Sequence, residues 1–133
     1  MRNQPFDLGQ NENRMEWVRP NYLNGWADYG LPWCPGGWAV DEFGWVVLRG
    51  LITNPNNVTV SPSPIFNLPQ DCRPAANELY SAYGNVVVRG DEVLRVDAYP
   101  DGNVSYIIYI AGVVPYLSLS GIRFKPDKRV GVS

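Results

Sequence analysis

The chain has 133 residues, is 45% hydrophobic and 18% charged, and carries a formal net charge of -2. That length suits one domain, that composition excludes a disordered or fibrous chain, and the missing cationic excess argues against a nucleic-acid partner. There is no histidine, which removes Ser-His-Asp and Cys-His catalysis, His-ligated zinc and imidazole acid–base chemistry.

Residues 1–20 are polar and rich in Asn, Gln and Arg, with apolar residues scattered off any heptad. They read as an extended arm or linker, and residues 13–18 leave room for one short amphipathic helix. Residues 21–126 are expected to form the folded domain, and residues 127–133 a tail. Within 21–44, Tyr22, Trp26, Tyr29, Trp33, Trp38 and Phe43 alternate with Gly and Pro, the pattern of short irregular strands joined by loops.

From Gly44 the pattern turns to strand. Residues 44–52 are apolar at nearly every position, broken only by Arg49, as in a strand covered on both faces. Asn54-Pro55-Asn56-Asn57 reads as a turn, Val58 and Val60 as a short strand, and Ser61-Pro62-Ser63-Pro64 as its end. A further short piece follows at residues 65–69. Residues 77–83 suit one helical turn or a strand. In residues 86–98, Val86, Val88, Leu94, Val96 and Ala98 share one phase, and Arg89, Asp91, Arg95 and Asp97 share the other. That predicts a half-buried hairpin turning at Gly90-Asp91, with a solvated charged face. Pro100-Asp101-Gly102-Asn103 is a second turn, and Val104, Tyr106, Ile108 and Ile110 alternate after it. The apolar phase slips between Leu119 and Ile122, which predicts a bulge at Ser120-Gly121. Roughly eight to ten short strands, with turn signals about every 8–12 residues, predict an all-β antiparallel β-sandwich of jelly-roll-like form.

Four segments, in order, resemble a known family. They are Leu23-Asn24-Gly25-Trp26-Ala27-Asp28-Tyr29-Gly30, the run Phe43-Gly44-Trp45-Val46-Val47-Leu48-Arg49-Gly50-Leu51-Ile52, the segment Ile65-Phe66-Asn67-Leu68-Pro69-Gln70-Asp71-Cys72-Arg73-Pro74-Ala75, and the closing Tyr116-Leu117-Ser118-Leu119-Ser120-Gly121-Ile122-Arg123-Phe124. Together they are similar to the C-terminal β-sandwich domain of phage tail-fibre, minor tail and baseplate receptor-binding proteins. Asp71-Cys72 departs from the family, which shows Gly and an aromatic there. The resemblance implies a homotrimer displayed on a virion, made in the host bacterial cytoplasm, with other virion structural proteins as partners. It implies recognition of a host cell-surface glycan or protein, and it supplies no fixed catalytic residues.

The candidate ligand-binding residues are Trp33, Tyr29, Trp38 and Asp28. Sugar C–H faces stack on flat rings, and an Asp or Asn accepts hydroxyl hydrogen bonds; core or subunit packing suits the same rings. Trp33, between Pro32 and Cys34, is the best candidate for exposure. The adjacent pairs Asp41-Glu42 and Asp91-Glu92 are poor glycosidase pairs, because neighbours on a strand face opposite ways. No catalytic residue, metal ligand or cofactor is therefore expected. Cys34 and Cys72 allow one disulfide by count, and read as two free thiols if the protein folds in a reducing cytoplasm. The longest apolar run, residues 107–114, is far short of a membrane span of about 20 residues, so no membrane insertion is expected. The first residues, Met1-Arg2-Asn3-Gln4-Pro5, show no signal peptide. A small sandwich buries only one face of residues 44–52 itself; sister copies in a closed trimer would cover the other, and extra loops could do the same. Two other readings stand beside adhesion: a capsid decoration or head-fibre protein docking through residues 1–20, and a polysaccharide-degrading enzyme.

Overall fold

The computed structural model describes residues 15–108 and 110–126. It is an all-β antiparallel sandwich of ten strands. These are β1 (Ala27–Asp28), β2 (Gly37–Val40), β3 (Val46–Arg49), β4 (Leu51–Val58), β5 (Ser63–Asn67), β6 (Glu78–Val86), β7 (Gly90–Ala98), β8 (Asn103–Ile107), β9 (Gly112–Ser118) and β10 (Arg123–Phe124), with one 3-10 turn at Gln70–Cys72. Seven strands form one sheet in the order β1-β4-β9-β6-β7-β8-β5, and β10-β3-β2 form the other.

The large sheet cannot be flat. β4 and β5 stand five strand positions apart, about 24 Å in a flat sheet. Residues 59–62 join them and reach only about 17 Å. The sheet therefore curls, and residues 23–29 bond to both of its ends. The Leu23 amide donates to the Ile65 carbonyl at 2.9 Å and the Asn24 side-chain amide to the Pro64 carbonyl at 2.8 Å, while the Tyr29 amide donates to the Leu51 carbonyl at 3.0 Å. The concave side holds the core: Trp26, Ile52, Ile65, Phe66, Leu68, Val96, Val104, Tyr106, Leu117 and Leu119 are all buried there. Trp26 meets the Tyr106 ring edge-on at 5.5 Å, and its Nε1 donates to Ser63 Oγ at 3.0 Å. The small sheet adds Val46, Leu48 and Phe124 to the same core.

The apolar run of residues 44–52 is two strands in two sheets. It breaks at Gly50, whose φ is +109°. A Cβ there would lie 2.3 Å from the Pro35 carbonyl oxygen and 2.5 Å from Gly36 Cα. Only glycine permits both that conformation and that approach. The second face of this run is half-covered by the chain itself. The Arg49 guanidinium lies over the Trp17 ring at 3.9 Å, Arg123 lies over Trp45 at 4.5 Å, and Val47 and Leu51 are half-buried. Trp17 is held there because Val18 pairs with Trp38 through amide–carbonyl bonds of 2.8 and 3.1 Å. Residues 15–18 thus carry no helix; residues 1–14 and 127–133 lie outside the described residues.

Several local expectations are corrected. Residues 54–57 belong to strand β4, with register shifts on either side of Asn54. The Asn54 side chain makes this possible: its amide donates to the Asn24 carbonyl at 3.0 Å and its oxygen accepts from the Asn56 amide at 3.0 Å. Pro55 sits in the bulge, where no ladder donor is needed. Val60 is outside any strand and exposed. The β6–β7 hairpin turns at residues 87–89, because Gly90 (φ +87°) takes the left-handed position that closes a three-residue loop. Val88 is therefore exposed, not core. Residues 78–83 are strand. Ser120-Gly121 is a turn that carries the chain from the large sheet to the small one, not a bulge. Asp97 is only 4% exposed and holds a bidentate Arg95 at 2.9 Å and the Tyr99 hydroxyl at 2.9 Å. It does not belong to a solvated face. Burial first, then that bond to Asp97, pushes the Tyr99 hydroxyl up to about 12.

Candidate functional site: an aromatic cleft on the convex face

Strand alternation decides what the convex face of the large sheet carries. Leu117 and Ala82 point into the core, so Tyr116, Ser118 and Tyr83 point out. The register puts Leu51 opposite Ser118 on β9, and Asn85 opposite Tyr116. Tyr29 follows β1 and bonds to Leu51. The neighbouring strands β1, β4, β9 and β6 thus set Tyr29, Leu51, Tyr116 and Tyr83 in a row. Tyr29 meets Tyr116 edge-on at 6.2 Å and 86°, and Tyr83 lies 6.5 Å from Tyr116 at 32°. With Trp33 and Cys34 as one wall and Ser118 and Ser120 at the other side, they line a cleft of about 550 Å³.

The close approach of β6 and β9 depends on Gly84. A Cβ there would sit 2.7 Å from the Tyr116 carbonyl oxygen and 2.8 Å from Leu94 Cδ1. The Trp33 wall is fastened from below. The Leu51 amide donates to the Cys34 carbonyl at 2.9 Å, and the Trp33 amide closes a turn on the Gly30 carbonyl at 3.0 Å. Asp28 holds the base of this loop: its Oδ1 accepts from the Gly36 amide at 2.9 Å and from the Tyr22 hydroxyl at 2.5 Å, and Arg19 pairs with Oδ2. Burial works against the charged form of Asp28. The bonds from Tyr22 and Gly36 and the charge of Arg19 outweigh it and hold the carboxyl below its ordinary range. Burial, and then the bond to Asp28, pushes the Tyr22 hydroxyl upward.

One charge stands beside the tyrosine row. Asp91 accepts from the Tyr116 hydroxyl and from the Asn85 amide (2.6 Å), and these bonds hold its carboxyl below the ordinary range. The Tyr116 hydroxyl is pushed up chiefly by the same bond. The cleft is lined by neither lysine, arginine, aspartate nor glutamate among the described residues.

The four residues singled out from sequence separate. Tyr29 and Trp33 line the cleft, at 45% and 55% exposure. Trp38 does not: it stands in β2 opposite Leu48, packed against the core. Asp28 pairs with Ile52, whose side chain faces inward, so its carboxylate turns away from Tyr29 and serves the loop instead. Tyr83 and Tyr116 went unseen in the sequence. Their signal was phase: each is one step off a core residue, Ala82 and Leu117. Cys34 is an exposed thiol at the cleft wall, and Cys72 is buried in the core.

No protein-family model matches the chain, and no curated protein matches its sequence significantly. The fold is similar to the solved structure of the receptor binding protein (gp15) of Listeria phage PSA, with a TM-score of 0.65 over 93% of this chain and 72% of that one, at 17% sequence identity. At that identity the likeness establishes a shared fold.

Proposed function

We propose that this protein is a phage virion adhesion domain, the receptor-binding tip of a tail fibre or baseplate protein. Its ligand is a host surface glycan or protein, bound in the cleft of Tyr29, Trp33, Tyr83 and Tyr116. The observation that carries this reading is the placement of four large aromatic rings on the convex face, where they support no core. Tyr83 is 54% exposed, and exposed aromatics grouped in a concavity mark a binding surface. The shared fold with a phage receptor binding protein supports the same reading. A non-catalytic role fits the lining: glycoside hydrolysis needs a carboxyl pair flanking the bond, and the cleft walls offer hydroxyls and rings.

Assembly as a homotrimer on a virion, beside other virion structural proteins, belongs to this proposal. The apolar surface for it is not the run of residues 44–52, which the chain half-covers. It is the tip of the β6–β7 hairpin, beyond the tyrosine row, where Val87 and Val88 are both more than 60% exposed. Sister copies covering that tip would remove it from water. The test is adsorption of the purified protein to a panel of bacterial cells, with its mass in solution measured by light scattering. Adsorption lost on Trp33→Ala at unchanged mass and melting temperature supports the reading. A protein that adsorbs to no cells overturns it.

A further inference from the structure

Resting on the adhesion reading of the cleft, we infer that its ligand is an uncharged glycan chain at least three sugar rings long, laid across the strands over Tyr29, Tyr116 and Tyr83. Length comes from spacing. Tyr29 just after β1, Tyr116 on β9 and Tyr83 on β6 have ring centroids 6.2 and 6.5 Å apart in turn. Tyr116 and Tyr83, tilted by only 32°, offer faces to two successive sugar units, and Tyr29, at 86° to Tyr116, meets a third unit with its ring edge. A single sugar covers one ring and leaves the others wet. The row does not end in a wall. Val93 lies directly opposite Tyr83 on β7 and is 68% exposed, and Tyr29 at the other end is 45% exposed. An open track of this kind passes a chain through, whereas a terminal sugar is held in an enclosed pocket.

Charge sets the ligand class. Polymers carrying phosphate or uronate are recognised by Arg or Lys, and no cationic side chain lines this cleft. The charge beside the row is negative: Asp91 is bonded to the Tyr116 hydroxyl, in the middle of the row. It is kept ionised by Tyr116 and Asn85, so an anionic chain meets a fixed like charge there. Neutral sugars gain from both features: C–H faces stack on the rings, and ring hydroxyls donate to the carboxylate.

The test is an array of neutral and acidic oligosaccharides, from single rings to hexamers, probed with the whole protein. Signal on neutral chains should climb about tenfold from one ring to three and then level. Tyr83→Ala should lose about tenfold on trimers with no change in melting temperature. Asp91→Asn, which keeps an acceptor for Tyr116 and removes the charge, should raise binding of acidic chains about fivefold at low salt relative to neutral chains of the same length. Acidic chains preferred over neutral ones of equal length, or single rings held as well as trimers, would overturn the inference and leave the adhesion reading standing. A silent array with continued adsorption to cells points to a protein receptor and has the same consequence. A silent array with no adsorption to cells ends both.

Discussion

Two groups of aromatic rings lie on opposite faces of one sheet. Trp26 and Tyr106 meet edge-on inside, 3% and 1% exposed, while Tyr29, Tyr116 and Tyr83 meet at similar distances outside and carry no core. Ring contact alone therefore says nothing about role. The inner pair belongs to the buried apolar cluster and stabilises the fold through area removed from water. The outer row spends its contacts on shape, holding ring faces and one ring edge toward solvent. The two groups should respond oppositely to substitution.

The inner pair sets the largest effect. Trp26→Ala leaves a cavity and orphans Ser63 Oγ, so it should cost about 3–5 kcal/mol. Chemical denaturation reads this, and a loss under about 1 kcal/mol would mean the ring is not the core residue described. Gly84→Ala lies between the faces. Its new methyl meets the Tyr116 carbonyl and Leu94, for a cost of about 1–3 kcal/mol. Because it displaces the strand bearing Tyr116, ligand binding should fall with stability.

Smaller is the acid sensitivity of the Trp33 loop. The Asp28 carboxyl is held below its ordinary range in the fold. Its stabilisation is present above the unfolded value, about pH 4, and is lost as the pH falls through the folded value. Melting temperature should therefore decline between about pH 5 and about pH 2, less steeply in Asp28→Asn. Equal slopes in both proteins would remove Asp28 from the account of the loop. Smallest in stability is the outer row. Tyr83→Ala should shift stability by no more than about 0.5 kcal/mol, since Tyr83 supports nothing beneath it, while ligand binding drops about tenfold.

Much of this architecture was legible in the residues. The alternation over residues 86–98 and 104–110 marked a hairpin and a further strand, with an inward phase that holds at Val86, Leu94, Val96, Ala98, Val104 and Tyr106 and fails at Val88 and Ile110. Asn54-Pro55-Asn56-Asn57 was misleading, because turn-forming Asn side chains can satisfy a bulged strand just as they satisfy a turn. The jump at Gly50 was hidden, because an unbroken apolar run looks the same whether it stays in one sheet or crosses to another. In the cleft, Trp33 was visible as a ring between turn-formers. Tyr83 and Tyr116 were visible only as residues out of phase with their neighbours. Asp28 lies off the cleft because strand parity, not closeness to Tyr29, decides which face a side chain serves.

The most direct test is cell adsorption by the Trp33→Ala/Tyr83→Ala double variant. Both side chains are about half exposed, so the variant should melt with the unsubstituted protein. If the convex row is the adhesive surface, the unsubstituted protein adsorbs to at least one bacterial strain and the double variant loses about tenfold or more. Adsorption unchanged by the double substitution, at equal melting temperature, would contradict the account.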